Sequence, residues 1–238
     1  MPISLLTLLV YLFISGCAYT LRPVRYDTMS ALMTAMSEKN PDINSIKALA
    51  TVSVKIDDRH ASFPEGMIIS GNAIRLETLN IFYQPLLVLI YNRTVSILNV
   101  DTGTCSVYSS ADSFRYFTYL DIPPEVFKSL VTGRLPGTPS KMTVSKNKFV
   151  LSGERDSASW IASVNDKLLP ESTNIEMDNG IKTFCTYDDY AAIDGVRIPF
   201  YVRCKWKDNR ITIHYDKVHI NGKVDPELMD ADKLCNHG

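Results

Sequence analysis

The chain has 238 residues, 21% of them charged and 45% hydrophobic, with a formal net charge of −1. That length supports one sizeable core and requires no second domain. The near-zero charge removes the overall electrostatic case for a nucleic-acid partner or an anionic surface.

The first element is an apolar run from Leu5 to Ile14. At about ten residues it is half of what a helix needs to cross a bilayer core. It ends in Ile14-Ser15-Gly16-Cys17, the lipobox arrangement of apolar, small, small and cysteine. This pattern predicts a signal peptide over 1–16, cleavage before Cys17, and a diacylglycerol anchor on the Cys17 thiol. The segment ahead of the run carries no Lys or Arg, so the terminal amine is its only positive charge. An ordinary secretory signal with a chance cysteine is the plainer alternative. Ala18 follows Cys17 where an Asp would favour retention at the inner membrane, so the expected location is the outer membrane, facing the periplasm. Residues 17–26 form a tether, and the folded domain occupies 27–238.

Met29, Leu32, Met33 and Met36 recur at helical spacing, Asp27 or Thr28 can cap the start, and Asn40-Pro41 ends the helix. The methionine stripe suits a core face, and it also suits an adaptable apolar cargo. From Ile46 the period becomes two: Ala48, Ala50, Val52, Val54 and Ile56 face one way and Lys47, Thr51, Ser53 and Lys55 the other. Residues 57–66 read as a loop and 67–79 as a second strand. The stretch 84–100 reads as two strands joined at Asn92-Arg93, and 105–110 as another. Strands joined by such short turns are antiparallel neighbours.

The meander is interrupted at Pro123-Pro124. Here Val126, Phe127, Leu130 and Val131 form an apolar helical stripe, and Gly133 stands where the helix should stop. Strands then resume, connected at Asp178-Asn179-Gly180, Asp194-Gly195 and Lys207-Asp208-Asn209. The expected fold is mainly β with some α. A single curved antiparallel sheet of about ten or eleven strands forms an unclosed barrel, and the two amphipathic helices cover its open side. The alternating faces predict an apolar pocket lined by Val52, Val54, Ile74, Leu76, Leu89, Ile97 and Trp160, of the several hundred Å³ usual for a ligand site. Phe114, Tyr116, Phe117 and Tyr119 crowd the approach to the second helix. They either contact an acyl chain or pack a lid onto the sheet, and Phe117 and Phe127 join the candidate lining.

Three stretches resemble the LolA/LolB-like lipoprotein-binding proteins: "IRLETLNIFYQPLLVLIYNRTVSILNV", "IPPEVFKSLVTGRLP" and "RITIHYDKVHINGKVDPELM". The N-terminal cysteine places the resemblance nearer the anchored receptor type than the soluble carrier type. It implies an unclosed barrel capped by helices that holds acyl chains of lipids or lipoproteins, without metal, nucleotide, cofactor or catalytic residue. It also implies exchange with a periplasmic carrier and an exposed apolar residue that releases cargo into the membrane. By position in the pattern that residue is Leu86 or Leu87, after Pro85, although both also suit strand core.

No catalytic motif competes. Gly-x-Ser-x-Gly, His-Glu-x-x-His and phosphate-binding glycine loops are absent from the sequence. Ser145 and Lys148 match Ser-x-x-Lys in a turn without its companion motifs. His60 lies beside Asp57 and Asp58, and His237 stands alone. His214 and His219, five apart, should face opposite sides of one strand. Cys105, Cys185, Cys204 and Cys235 are either disulfides or buried thiols, with Cys185–Cys204 the first pair to test across one turn. No Cys-x-x-Cys supports a metal knuckle. The leading function is therefore binding of an acyl chain in a membrane-anchored half-barrel. The alternative is a non-enzymatic scaffold or interaction subunit of an envelope assembly.

Overall fold

The structure, a computed structural model, describes residues 26–109, 114, 118, 120, 122–145, 148–155 and 157–236. The signal segment, Cys17 and most of the tether lie outside these residues, as do Tyr116, Phe117, Tyr119 and His237.

Among the described residues the chain builds one 13-stranded antiparallel sheet with three short α-helices. Helix α1 spans Met29–Lys39, α2 Pro124–Val131 and α3 Ala231–Asn236. The first run of strands is β1 Ser45–Ile56, β2 Arg59–Ser70, β3 Ala73–Leu79, β4 Pro85–Asn92, β5 Thr94–Asn99 and β6 Thr104–Tyr108. The second is β7 Lys141–Ser145, β8 Lys148–Arg155, β9 Ala158–Val164, β10 Pro170–Met177, β11 Lys182–Ile193, β12 Val196–Trp206 and β13 Asn209–Ile220. Each run is a meander, and β1 pairs with β13 to join them, leaving β6 and β7 as the two edges of an unclosed sheet. The connection holding α2 crosses from one edge to the other.

Turn chemistry explains the meander. The β11–β12 link is two residues, Asp194 at φ 48° and Gly195 at φ 81°, with Ile193 facing Val196. Both central residues at positive φ match the right-handed twist of the flanking strands. Arg93 (φ 67°) and Lys207 (φ 49°) bend the β4–β5 and β12–β13 links in the same way.

Two strands exceed the expected eleven, β3 and β7, the latter in a stretch not read as a strand, and one expected loop is also strand. Residues 59–66 are not a loop but the first two-thirds of β2, in register with β1 from Ile56↔Arg59 to Leu49↔Gly66. The stretch read as one strand over 67–79 is instead a hairpin, with Gly71 at φ 56° in its turn. Pro64 and Gly66 carry no strand signal of their own, and pairing along the whole of β1 overrides local preference.

Alternate residues of every long strand enter one core that includes Ile46, Val52, Met67, Ile69, Trp160 and Tyr215. In α1 the Thr28 hydroxyl accepts from the Ala31 amide, and Leu32 is buried. Four successive stripe residues of α2, Val126, Phe127, Leu130 and Val131, are all buried, and Gly133 (φ 64°) follows its end. The Tyr215 hydroxyl donates to the Val131 carbonyl at 2.9 Å, fastening α2 to β13. Phe114 is buried and meets Phe127 edge-on at 5.3 Å between ring centroids. Cys185 and Cys204 face each other across β11 and β12 and form a disulfide, and a second bond ties Cys105 of β6 to Cys235 of α3.

Candidate functional site

Between the core face of the sheet and α2 lies a cavity of about 80 Å³. Strand β1 contributes Val52 and Val54, β3 contributes Leu76, and α2 contributes Phe127, four of the residues expected to line it. Ile74, Leu89, Ile97 and Trp160 are buried in the surrounding core and do not border this space. The volume falls below the several hundred Å³ expected, because side chains of α2 together with Phe114 and Leu120 are part of the packed core.

Glu65 is the residue that sequence reasoning missed. It stands on β2 between Phe63 and Met67, all three bordering the cavity. One row of directly opposed residues crosses the sheet there: Tyr215, Ala50, Glu65, Thr78 and Leu87. Small Ala50 leaves room between the tyrosine and the carboxyl. Glu65 is 7% exposed, and its Oε2 has no hydrogen-bond partner among the described residues. Burial pushes its pKa from 4.5 to about 7, a hydrogen bond from Thr78 opposes the shift, and Glu77 adds to it. A carboxyl whose pKa is raised in this way can donate or accept a hydrogen bond inside a mostly apolar wall, where Thr78 and Thr118 are the other polar side chains among the described residues. Placing Pro64 and Gly66 in a loop hid this residue. Once β2 is extended backward from Met67 by twos, Glu65 falls on the core face.

Among the described residues bordering the cavity, none forms a nucleophile–base pair with Glu65. The Thr118 hydroxyl is committed to the Phe114 and Leu120 carbonyls. The other candidates for chemistry are scattered. Ser145 pairs with Lys148 at the β7–β8 turn, where Lys148 is ion-paired to Glu171. His214 and His219 do share one face, contrary to the expectation from spacing. A β-bulge opposite Leu49/Ala50 inserts a residue between them, so they stand opposite Thr51 and Lys47. Four residues of strand still separate them by roughly 13 Å, too far for one metal. No group of three metal-binding side chains occurs among the described residues.

The second feature is the β3–β4 turn. Leu86 and Leu87 lie inside β4 and are half-buried, and Leu87 packs against the core. The exposed apolar side chains of this hairpin are instead Ile81 (82% exposed), Phe82 (74%) and Tyr83 (63%). Asn80 braces them: its Oδ1 accepts from the Phe82 and Gln84 amides at 2.8 and 3.1 Å, and its carbonyl accepts from the Tyr83 amide at 2.9 Å. Tyr83 takes φ 60° to close the turn. A side-chain acceptor at the start of a turn stiffens it, so the three apolar residues are presented on a rigid tip.

No family model matches the sequence, and no curated protein matches it either. Solved structures do match. A DUF1329 family protein from Desulfovibrio piger superposes with a TM-score of 0.61 at 10% identity, over 85% of this chain and 96% of that one. A putative outer membrane lipoprotein-sorting protein domain from Vibrio parahaemolyticus gives 0.62 at 7% identity, over 86% and 97%. A LolA superfamily protein from Nitrosomonas europaea gives 0.56 at 10% identity, over 86% and 99%. The protein thus carries the LolA/LolB-like half-barrel fold.

Proposed function

We propose that the protein is a lipid-anchored envelope protein that binds an acyl chain of a lipid or lipoprotein against the core face of its sheet and passes it to the outer membrane. The observation that carries this reading is the apolar cavity under Phe127, on an unclosed sheet of the fold shared with lipoprotein-sorting proteins. Cys17 is the proposed anchor. The two disulfides suit an oxidising compartment such as the periplasm.

Ligand pockets span roughly 300–1,000 Å³, so carriage requires the cavity of about 80 Å³ to open further. In this reading α2 covers the core face as a lid, and an acyl chain enters when it swings away. Polar fastenings hold it: Tyr215 to the Val131 carbonyl, Lys128 to the Gly71 carbonyl at 2.6 Å and Glu125 to Arg155 at 3.5 Å, with Arg134, just past its end, donating to the Pro41 carbonyl at 2.8 Å. The exposed tip Ile81–Phe82–Tyr83 takes over the release role expected of Leu86 and Leu87, because apolar side chains already in water gain most by entering a bilayer.

The small cavity also favours the second reading, a scaffold whose core is filled by its own side chains. Native mass spectrometry of protein extracted from membranes separates the two. Co-purifying mass of one or two acyl chains supports carriage, and a bare chain that also fails to bind an apolar fluorescent dye supports the scaffold.

A further inference from the structure

We propose that the outward face of strands β2, β1, β13 and β12, at the end of the sheet that carries the Ile81–Tyr83 tip, is a docking surface for an anionic phospholipid bilayer. The inference rests on the membrane-delivery reading above and names the lipid surface it addresses.

The argument begins with register. Lys55 of β1 lies directly opposite His60 of β2 on one side and Arg210 of β13 on the other, and Arg210 lies opposite Lys205 of β12. Basic side chains thus stand side by side across four adjacent strands, all exposed. The next row on the same face reads Ser62, Ser53, Thr212 and Arg203, adding another cation over the Tyr201 ring at 5.1 Å. His60, Arg210 and Lys205 of the first row and Ser53, Thr212 and Arg203 of the second line a shallow groove of about 310 Å³, and Lys55 stands between His60 and Arg210 in the register. Like charges directly opposite one another destabilise a sheet. Neighbouring acids could relieve the repulsion, yet among the described residues Lys55, Lys205 and Arg210 form no ion pair. Asp57, Asp58 and Asp208 sit in the flanking turns, outside the row. A chain of net charge −1 has therefore concentrated cations where its own fold gains nothing from them.

The position of the row decides between polyanions. The basic row is the last full row before the β1–β2 and β12–β13 turns. Thr78 lies opposite Glu65, so β3 runs toward the same end and its turn carries the apolar tip there. An apolar tip beside a basic row fits a bilayer whose interior takes the one and whose phosphates meet the other. Nucleic acid would leave three large apolar side chains in water. Each Lys or Arg near an anionic membrane surface contributes about 1 kcal/mol, about a fivefold change in occupancy, and the attraction decays over a Debye length.

The full chain tests this when bound to vesicles of phosphatidylcholine alone or with phosphatidylglycerol added, by comparing acylation rates of individual lysines by mass spectrometry. Lys167, exposed in the turn between β9 and β10 at the far end of the sheet, is the internal control. Lys55 and Lys205 should react about fivefold more slowly on the anionic vesicles than on the neutral ones. Lys167 should not change, and high salt should erase the difference. The exposed double substitution Lys205→Gln/Arg210→Gln should remove the protection of Lys55. Hydrogen exchange of the 80–84 tip on neutral vesicles reports membrane insertion separately. A tip that is protected there, with lysines indifferent to phosphatidylglycerol, overturns the anionic surface and leaves delivery standing. A tip that stays open on both vesicles overturns delivery. Stronger lysine protection by a DNA duplex than by anionic vesicles also overturns the proposal.

Discussion

The sharpest consequence of the release role is what Phe82→Glu should and should not change. Phe82 is 74% exposed, and the turn that holds it is braced by Asn80, not by the ring. Its replacement should therefore move folding stability by no more than about 0.5 kcal/mol, the range of an ordinary surface substitution. Burying a phenylalanine side chain in an apolar medium contributes about 1.5–3 kcal/mol. Losing about 2 kcal/mol from the insertion step weakens partition into neutral vesicles by about thirtyfold. The assay is co-sedimentation with phosphatidylcholine vesicles, using a chain that starts at Tyr26 and so lacks the apolar N-terminal run, paired with urea unfolding. Leu87→Glu is the contrast: Leu87 packs against the core, so the same carboxylate should cost about 1–3 kcal/mol of stability or more. If Phe82→Glu partitions like the wild type, the tip does not enter the bilayer. If instead Phe82→Glu unfolds the protein, the ring is structural and the reasoning fails at its first step.

The folded pKa of Glu65, about 7, exceeds its ordinary value of 4.5, so the folded state holds the extra proton between these limits. Relative to Glu65→Gln, wild-type stability should be fully present below about pH 4.5, fall by about 3 kcal/mol as pH rises to about 7, and level off above, as urea unfolding across that window would show. A parallel pH profile for both proteins would place the carboxyl in water. The bond between Cys105 and Cys235 spans 130 residues, and removing it as Cys105→Ala/Cys235→Ala should cost about 4 kcal/mol in urea unfolding. Stability unchanged in that variant would mean the two sulfurs are not joined in solution. A Cβ added at Gly153 would stand 2.7 Å from the Thr138 carbonyl oxygen and 2.8 Å from the Trp160 ring. Gly153→Ala should therefore lower stability by about 1–3 kcal/mol, and an unchanged melting temperature would refute the close packing of that ring on β8.

What the sequence made legible follows from how local the controlling physics is. Asp194-Gly195 names its own turn because positive φ at two successive positions is a property of those two residues. Cys185 and Cys204 could be paired because a tight turn fixes the register of the strands on either side, and the structure sets them opposite each other. The α2 stripe, bounded by Pro124 and Gly133, was legible for the same reason. The failures belong to pairings that no local window contains. His60, Ala61, Ser62, Pro64 and Gly66 have no reason to form a strand until the far half of β1 pairs with them. The bulge that brings His214 and His219 to one face is imposed by the β1–β13 match, between strands at opposite ends of the chain. The exposed tip was hidden for another reason: Ile81-Phe82-Tyr83 has the composition of a strand, and Asn80 turns it by accepting two backbone amides. The three features that bear most on function therefore come from this class. A buried carboxyl, an exposed apolar tip and a basic row without ion pairs among the described residues each oppose the fold's own preferences, which is why propensity did not find them and why the proposed function is argued from them.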